Sequence, residues 1–156
     1  MDTSAIQIQK LEDKSLLPYD LLLLADPSET IVNQYVNNAD IFAAYIANKI
    51  VGILVLYPLD KFNMEIKNIA VCPNLQNKGI GTQLLQFAKI YTAENGFENI
   101  FIGTANSSLA QLYLYQKLGF ELHEIKHNFF LENYPEYMEE NGIQIKHMIM
   151  LKQSLK

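Results

Sequence analysis

Along the chain, stretches in which apolar residues alternate with polar ones or run unbroken give way to stretches in which they recur at spacings of three and four. The first pattern marks strands and the second amphipathic helices. Ile6 and Ile8 alternate with polar neighbours and predict an opening strand; a helix follows over residues 15–24 and is broken by Asp26-Pro27-Ser28. Ser28 stands ahead of Ile31, Val32, Tyr35 and Val36, the pattern of a capped amphipathic helix, which ends at Asn37-Asn38. Residues 41–47, a turn at Asn48-Lys49 and residues 50–57 predict a β-hairpin, with Gly52 near the start of its second strand and Pro58 at its end.

Residues 64–71 predict the next strand, and residues 79–94 a helix stopped by Asn95-Gly96 as a left-handed cap pair. A strand over 97–104, a helix over 108–118 closed by Gly119, a strand over 120–130 that gains polarity, and a last strand over 143–151 complete the order. That order, β-α-α-β-β-β-α-β-α-β-β, predicts an α/β (α+β) fold with a mixed central sheet of about seven strands and helices on both faces. The strands beside the 79–94 helix are predicted to run parallel.

Bulk properties narrow the function classes. A length of 156 residues suits one domain over 1–156, and 49% hydrophobic with 19% charged residues is ordinary for a globular chain. Cys72 is the only cysteine, so no internal disulfide forms, and three histidines without metal-ligand spacing predict no metal site. A reducing cytoplasm is the expected compartment. Residues 1–10 are polar and carry no leader pattern, and apolar runs such as that at 21–25 are too short to span a bilayer. A net charge of −5, with twelve Lys and Arg in no stripe, gives nucleic-acid binding no electrostatic support.

The chemistry concentrates at Gln76-Asn77-Lys78-Gly79-Ile80-Gly81-Thr82, between the 64–71 strand and the helix that follows. Unpaired N–H groups and two glycines at a helix N-terminus suit a diphosphate. A nucleotide P-loop needs Gly-Lys-Ser/Thr at the turn's end, but Lys78 precedes its glycine; a dinucleotide fingerprint needs a glycine where Leu84 stands. Neither reading fits.

Gln76, Gly79 and Gly81 match Gln/Arg-x-x-Gly-x-Gly/Ala, with Met64-Glu65-Ile66-Lys67-Asn68-Ile69-Ala70-Val71 before it and Tyr115-Gln116-Lys117-Leu118-Gly119-Phe120 after it. In this order the three segments resemble the GNAT superfamily of N-acetyltransferases, closely over residues 41–120 and by element order elsewhere. The resemblance implies acetyl-CoA as co-substrate, its pyrophosphate on Gln76, Asn77, Lys78, Gly79, Ile80, Gly81 and Thr82. It implies a pantetheine arm pairing with the backbone of Ile69, Ala70 and Val71, in a sheet splayed between the fourth and fifth strands. Tyr115 then stands where many members protonate the leaving thiolate, and Glu65 where some take the amine's proton through water. Lys67 alternates onto the face of Glu65, and contact between them would make Glu65 a poorer base.

Members often hold the pantetheine with an asparagine seven residues before the tyrosine, and here that position is Ser108. Either Ser108 or Asn106 substitutes, or Ser107 and Ser108 merely cap the next helix. By the same analogy the oxyanion donor is the N–H of Val71 or Cys72. The Cys72 thiol is structural, since Pro73 follows it and no His motif accompanies it. Residues 127–142 mix aromatics and carboxylates; Glu132, Tyr134, Glu136 and Tyr137 either border the acceptor site or form a solvated loop. The resulting expectation is transfer of an acetyl group to a primary amine of a small, cationic molecule by direct attack in a ternary complex. A protein N-terminal or lysine acetyltransferase, and an inactive CoA-binding regulatory module, are the alternatives. No metal is implied, and a homodimer is the family's common assembly.

Overall fold

The computed structural model describes residues 5–156; residues 1–4, the start of the polar 1–10 stretch, lie outside the described residues. Apolar runs buried on both faces make the centre of the sheet. β1 (Gln7–Lys10), β2 (Asp40–Ile46), β3 (Lys49–Pro58), β4 (Asn63–Val71), β5 (Asn99–Ala105), β6 (Glu121–Lys126) and β9 (Met148–Ser154) form one sheet in the order β1-β2-β3-β4-β5-β9-β6. β4 and β5 run parallel, and the other neighbours antiparallel. β7 (Glu139–Glu140) and β8 (Ile143–Gln144) pair separately.

Helices cover both faces. α1 (Tyr19–Ala25) and α2 (Glu29–Val36) bury Leu22, Val32 and Val36 against Ile41, Ala43, Ile53 and Val55. α3 (Ile80–Glu94) and α4 (Leu109–Lys117) bury Leu84, Leu85 and Tyr115 with Phe42, Leu54 and Leu56 on the other side. β2 therefore sends Ile41 and Ala43 one way and Phe42 and Ala44 the other, as a period of two requires. The Ser28 cap is in place, its Oγ accepting from Ile31 N–H at 3.2 Å. Ser28→Ala is expected to lower stability by about 1 kcal/mol in urea denaturation; an unchanged midpoint would show the cap to be idle.

Two irregularities shape the site. The β4–β5 ladder joins Asn63–Ile66 to Asn99–Ile102 and stops there, so the sheet opens beyond Ile66, between the predicted fourth and fifth strands. A bulge in the β3–β4 ladder pairs Leu56 with Ile66 but Val55 with Asn68, leaving Lys67 over. Strict alternation would send Asn68 after Ile66 toward α3. The bulge turns it instead toward α1 and α2, where Nδ2 donates to Leu22 C=O at 2.9 Å and to Tyr35 Oη at 3.0 Å.

Several predicted bounds need correction. The 15–24 helix is split into a short 3-10 turn over Lys14–Leu16 and α1, because Pro18 forces Leu17 out of the helical region. The hairpin turn lies at Ala47-Asn48, both with positive φ, one residue earlier than predicted. At the end of α3 only Gly96 is left-handed; Asn95 has φ −94°. β6 ends at Lys126 because Asn128 turns left-handed and starts α5 (Phe129–Asn133). The predicted last strand is interrupted: β7 and β8 close on a turn at Asn141-Gly142, both with positive φ, and β9 begins only at Met148. Among the described residues no helix is long and apolar enough to cross a membrane.

Candidate active site

At the N-terminus of α3, Gly79 occupies the cap position with φ +89° and no side chain caps the helix. The first N–H groups of a 15-residue helix thus face outward with the positive end of its dipole. A Cβ on Gly79 or Gly81 would have no heavy atom within 4 Å, so the space above both is open to a ligand. Gln76, Asn77, Gly79, Gly81 and Thr82 line a cavity of about 730 Å³ that also reaches α4 and the open part of β4. Lys78 and Ile80 are not among its lining residues. The Ile80 side chain is buried in the core, so only its backbone is available to an anion. Gln76 reaches inward: its Nε2 donates to Val71 C=O at 3.1 Å and ties the loop to the end of β4.

Ile69, Ala70 and Val71 form the cavity wall where the sheet opens. Cys72 N–H donates to Val51 C=O at 2.8 Å. Hydrogen-bonded and non-bonded pairs alternate along an antiparallel ladder, so Ala70 is tied to Ile53 while Val71 and Ile69 turn their backbone groups away from β3. Of the two predicted oxyanion donors, the Cys72 N–H is therefore already committed. That of Val71 faces the opening.

Tyr115, on the inner face of α4, lines the cavity and is 6% exposed, its ring 6.1 Å from that of Phe120. Burial pushes its phenol up from 10.0 to about 12, so it keeps its proton at neutral pH. Burial, with the Asp26 carboxylate, also pushes up Tyr35 and Tyr134. The folded phenols hold their protons more tightly than the unfolded chain does. Their stabilisation is thus whole below pH 10.0; that of Tyr115, about 3 kcal/mol, is lost as pH rises through about 12, and those of Tyr35 and Tyr134 at higher pH still. Melting temperatures are expected to fall steeply across that window; a flat alkaline profile would contradict the burial of these rings.

Glu65 is 8% exposed and does not line the cavity; its Oε1 lies 3.7 Å from Lys67 Nζ, the predicted contact. Lys67 does line the cavity and also lies over the Tyr35 ring. Asn106 is turned away. Its Nδ2 donates to Gln144 C=O, and its Oδ1 accepts from the N–H groups of Lys146 and His147, supplying the bonds that the break before β9 lacks. Ser108 lines the cavity, yet its Oγ donates to Glu140 Oε1 at 2.6 Å rather than capping α4. Ser107 Oγ is buried without a partner, so neither serine caps as predicted.

Of Glu132, Tyr134, Glu136 and Tyr137, only Tyr134 lines the cavity. Its Oη donates to Asp26 Oδ1 at 2.7 Å. Tyr137 instead donates to Glu139 Oε2 at 2.8 Å on the exposed side. The acidic wall is made by Asp26, Glu139 and Glu140.

The model of the Acetyltransferase (GNAT) family matches residues 8–120. The chain belongs to the GNAT family of acetyltransferases. It is 42% identical to the uncharacterized N-acetyltransferase YvbK of Bacillus subtilis over 151 residues, 97% of each chain. Among solved structures it is similar to a GNAT family acetyltransferase from Elizabethkingia anophelis with acetyl-CoA bound, at 46% identity and TM-score 0.94, covering 96% of this chain and 98% of that one. A Bacillus subtilis acetyltransferase in complex with CoA gives 42% identity and TM-score 0.92, covering 97% and 99%.

In this GNAT enzyme the loop, the strand edge and Tyr115 converge on one cavity, while Glu65 and Asn106 stand off it. Asp26, Glu139 and Glu140 were missed as site residues. In the sequence Asp26 reads as a helix breaker, and no local pattern links it to Tyr134, 108 positions away. Glu139 and Glu140 lie in the acidic stretch, but the Ser108 contact that points one of them at the cavity is not encoded by spacing.

Proposed function

We propose that this enzyme transfers the acetyl group of acetyl-CoA to an amine of a small cationic molecule by direct attack within a ternary complex. The observation that carries the reading is the single cavity joining a helix N-terminus cleared by glycines, an unpaired strand edge, a protonated tyrosine and three carboxylates. Asp26, Glu139 and Glu140 face one lining cation, Lys67, which is itself beside Glu65. Similarity to enzymes solved with acetyl-CoA and with CoA supports the choice of co-substrate.

The α3 N-terminus and the outward N–H groups around Gly79 and Gly81 would hold the pyrophosphate. The outward backbone groups of Ile69 would hold the pantetheine by strand-like pairing, while the Val71 C=O is taken by Gln76 Nε2 and its N–H is left for the thioester carbonyl. As the neutral amine nitrogen bonds to the thioester carbonyl carbon, Val71 N–H stabilises charge on the carbonyl oxygen. As the C–S bond breaks, Tyr115 gives its proton to the departing sulfur and the product is CoA thiol. The amine's surplus proton leaves to solvent through the open cavity. Glu65 has only indirect access to it, by way of Lys67.

Thiol release from acetyl-CoA, followed with a panel of polyamines, aminoglycosides, neutral amines and peptides with free N-termini, tests the reading. Saturable release with small cationic amines is expected. Release with peptides alone, or with no amine, would overturn it.

A further inference from the structure

The carboxylate of Asp26 is fixed from several directions. Oδ1 accepts from Tyr134 Oη at 2.7 Å and from Ser28 N–H at 3.2 Å, and Oδ2 accepts from Tyr35 Oη at 3.2 Å. Tyr35 is in turn held by Asn68 Nδ2, which also donates to Leu22 C=O. All these donors are neutral. The ion pairs found among the described residues, Lys10 with Asp40, Lys67 with Glu65 and Lys156 with Glu98, leave Asp26 out. Among the described residues, a half-buried carboxylate on a cavity wall thus stands outside every one of these ion pairs, the cavity's lining cation Lys67 being paired with Glu65 instead. Independently, Asn68 lines the same cavity, is 3% exposed, and has an Oδ1 with no hydrogen-bond partner. Beside Asp26, which is outside those ion pairs, the site thus also holds an acceptor without a donor. The rings of Phe130 and Tyr134, 5.5 Å apart, line the cavity beside it and suit a cation's face contacts.

The attacking amine must be neutral, and a carboxylate beside it would favour its charged, unreactive form. A fixed anion is therefore suited to a positive group that does not react. Resting on the transferase reading above, we infer that the acceptor carries a second cationic group besides the amine that is acetylated, and that Asp26 holds that group. The acceptors are then diamines, polyamines or other molecules with two basic groups. Tyr134 is a positioning residue that fixes the carboxylate.

Steady-state kinetics with putrescine against butylamine, and cadaverine against pentylamine, test the inference at matched chain lengths. The wild-type enzyme is expected to favour each diamine at least tenfold in kcat/KM, mainly through KM. Asp26→Asn should raise KM for the diamines at least tenfold with kcat changed less than threefold, and shift the monoamines less than twofold. Tyr134→Phe, which keeps the charge, should give a smaller rise in the same direction and serves if Asp26→Asn does not fold. A wild-type enzyme indifferent to the second amine, or variants that weaken both amine classes equally, would overturn the inference and leave the transferase standing. Absence of thiol release with every amine would instead refute the transferase reading, and this assignment with it.

Discussion

Gly81→Glu is expected to abolish acetyl-CoA binding while leaving the unliganded protein at least as stable as the wild type. Gly81 lies in the first turn of α3, outside the left-handed region, and a Cβ there has no heavy atom within 4 Å. In the unliganded protein the change removes a helix glycine, worth roughly 0.5–1 kcal/mol, and puts an anion where the helix dipole favours one. With ligand, the same carboxylate occupies the space of the pyrophosphate and repels it. Opposite signs for stability and binding separate this site from a merely structural loop. Gly79→Glu should also abolish binding, but φ +89° adds strain of about 1–2 kcal/mol, so its stability should fall. Calorimetric binding alongside thermal melts checks both; normal binding by Gly81→Glu would remove the cradle.

Tyr115→Phe is expected to lower kcat by about 100-fold or more, the usual scale for loss of a positioned acid, with little change in the dissociation constant of acetyl-CoA. The ring keeps its packing against Phe120, so only the proton donor is lost. Because burial holds the phenol near 12, the wild-type rate should show no loss from Tyr115 ionisation at neutral or mildly alkaline pH. An unchanged kcat in the variant would reject Tyr115 as the acid. A rise in KM for acetyl-CoA with kcat intact would make it a binding residue instead.

The parts of the fold set by local pattern were legible in the sequence. β4, the glycine loop and α3 follow one another with apolar period and glycine placement that no distant contact needs to enforce. Gly119 at φ +104° closes α4 as its position implied. What could not be read depends on contacts between distant residues. Strict alternation gives no hint of the bulge at Lys67, which redirects Asn68 to α1 and α2 and so builds the support for Asp26. The acidic 127–142 stretch could be read either as a border of the acceptor site or as a solvated loop, and which of its residues line the cavity depends on Asn128 and Asn141-Gly142 entering left-handed turns. Asn106 illustrates the same limit: it was a candidate substitute for the asparagine missing at Ser108, and its side chain instead secures the segment before β9.

Titration calorimetry of acetyl-CoA into the wild-type protein and into Gly81→Glu is the most direct measurement. Saturable binding at one site per chain by the wild type, and none by the folded variant, is the expected result. No binding by the wild type, or equal binding by both proteins, would contradict the assignment of the α3 N-terminus as the acetyl-CoA site.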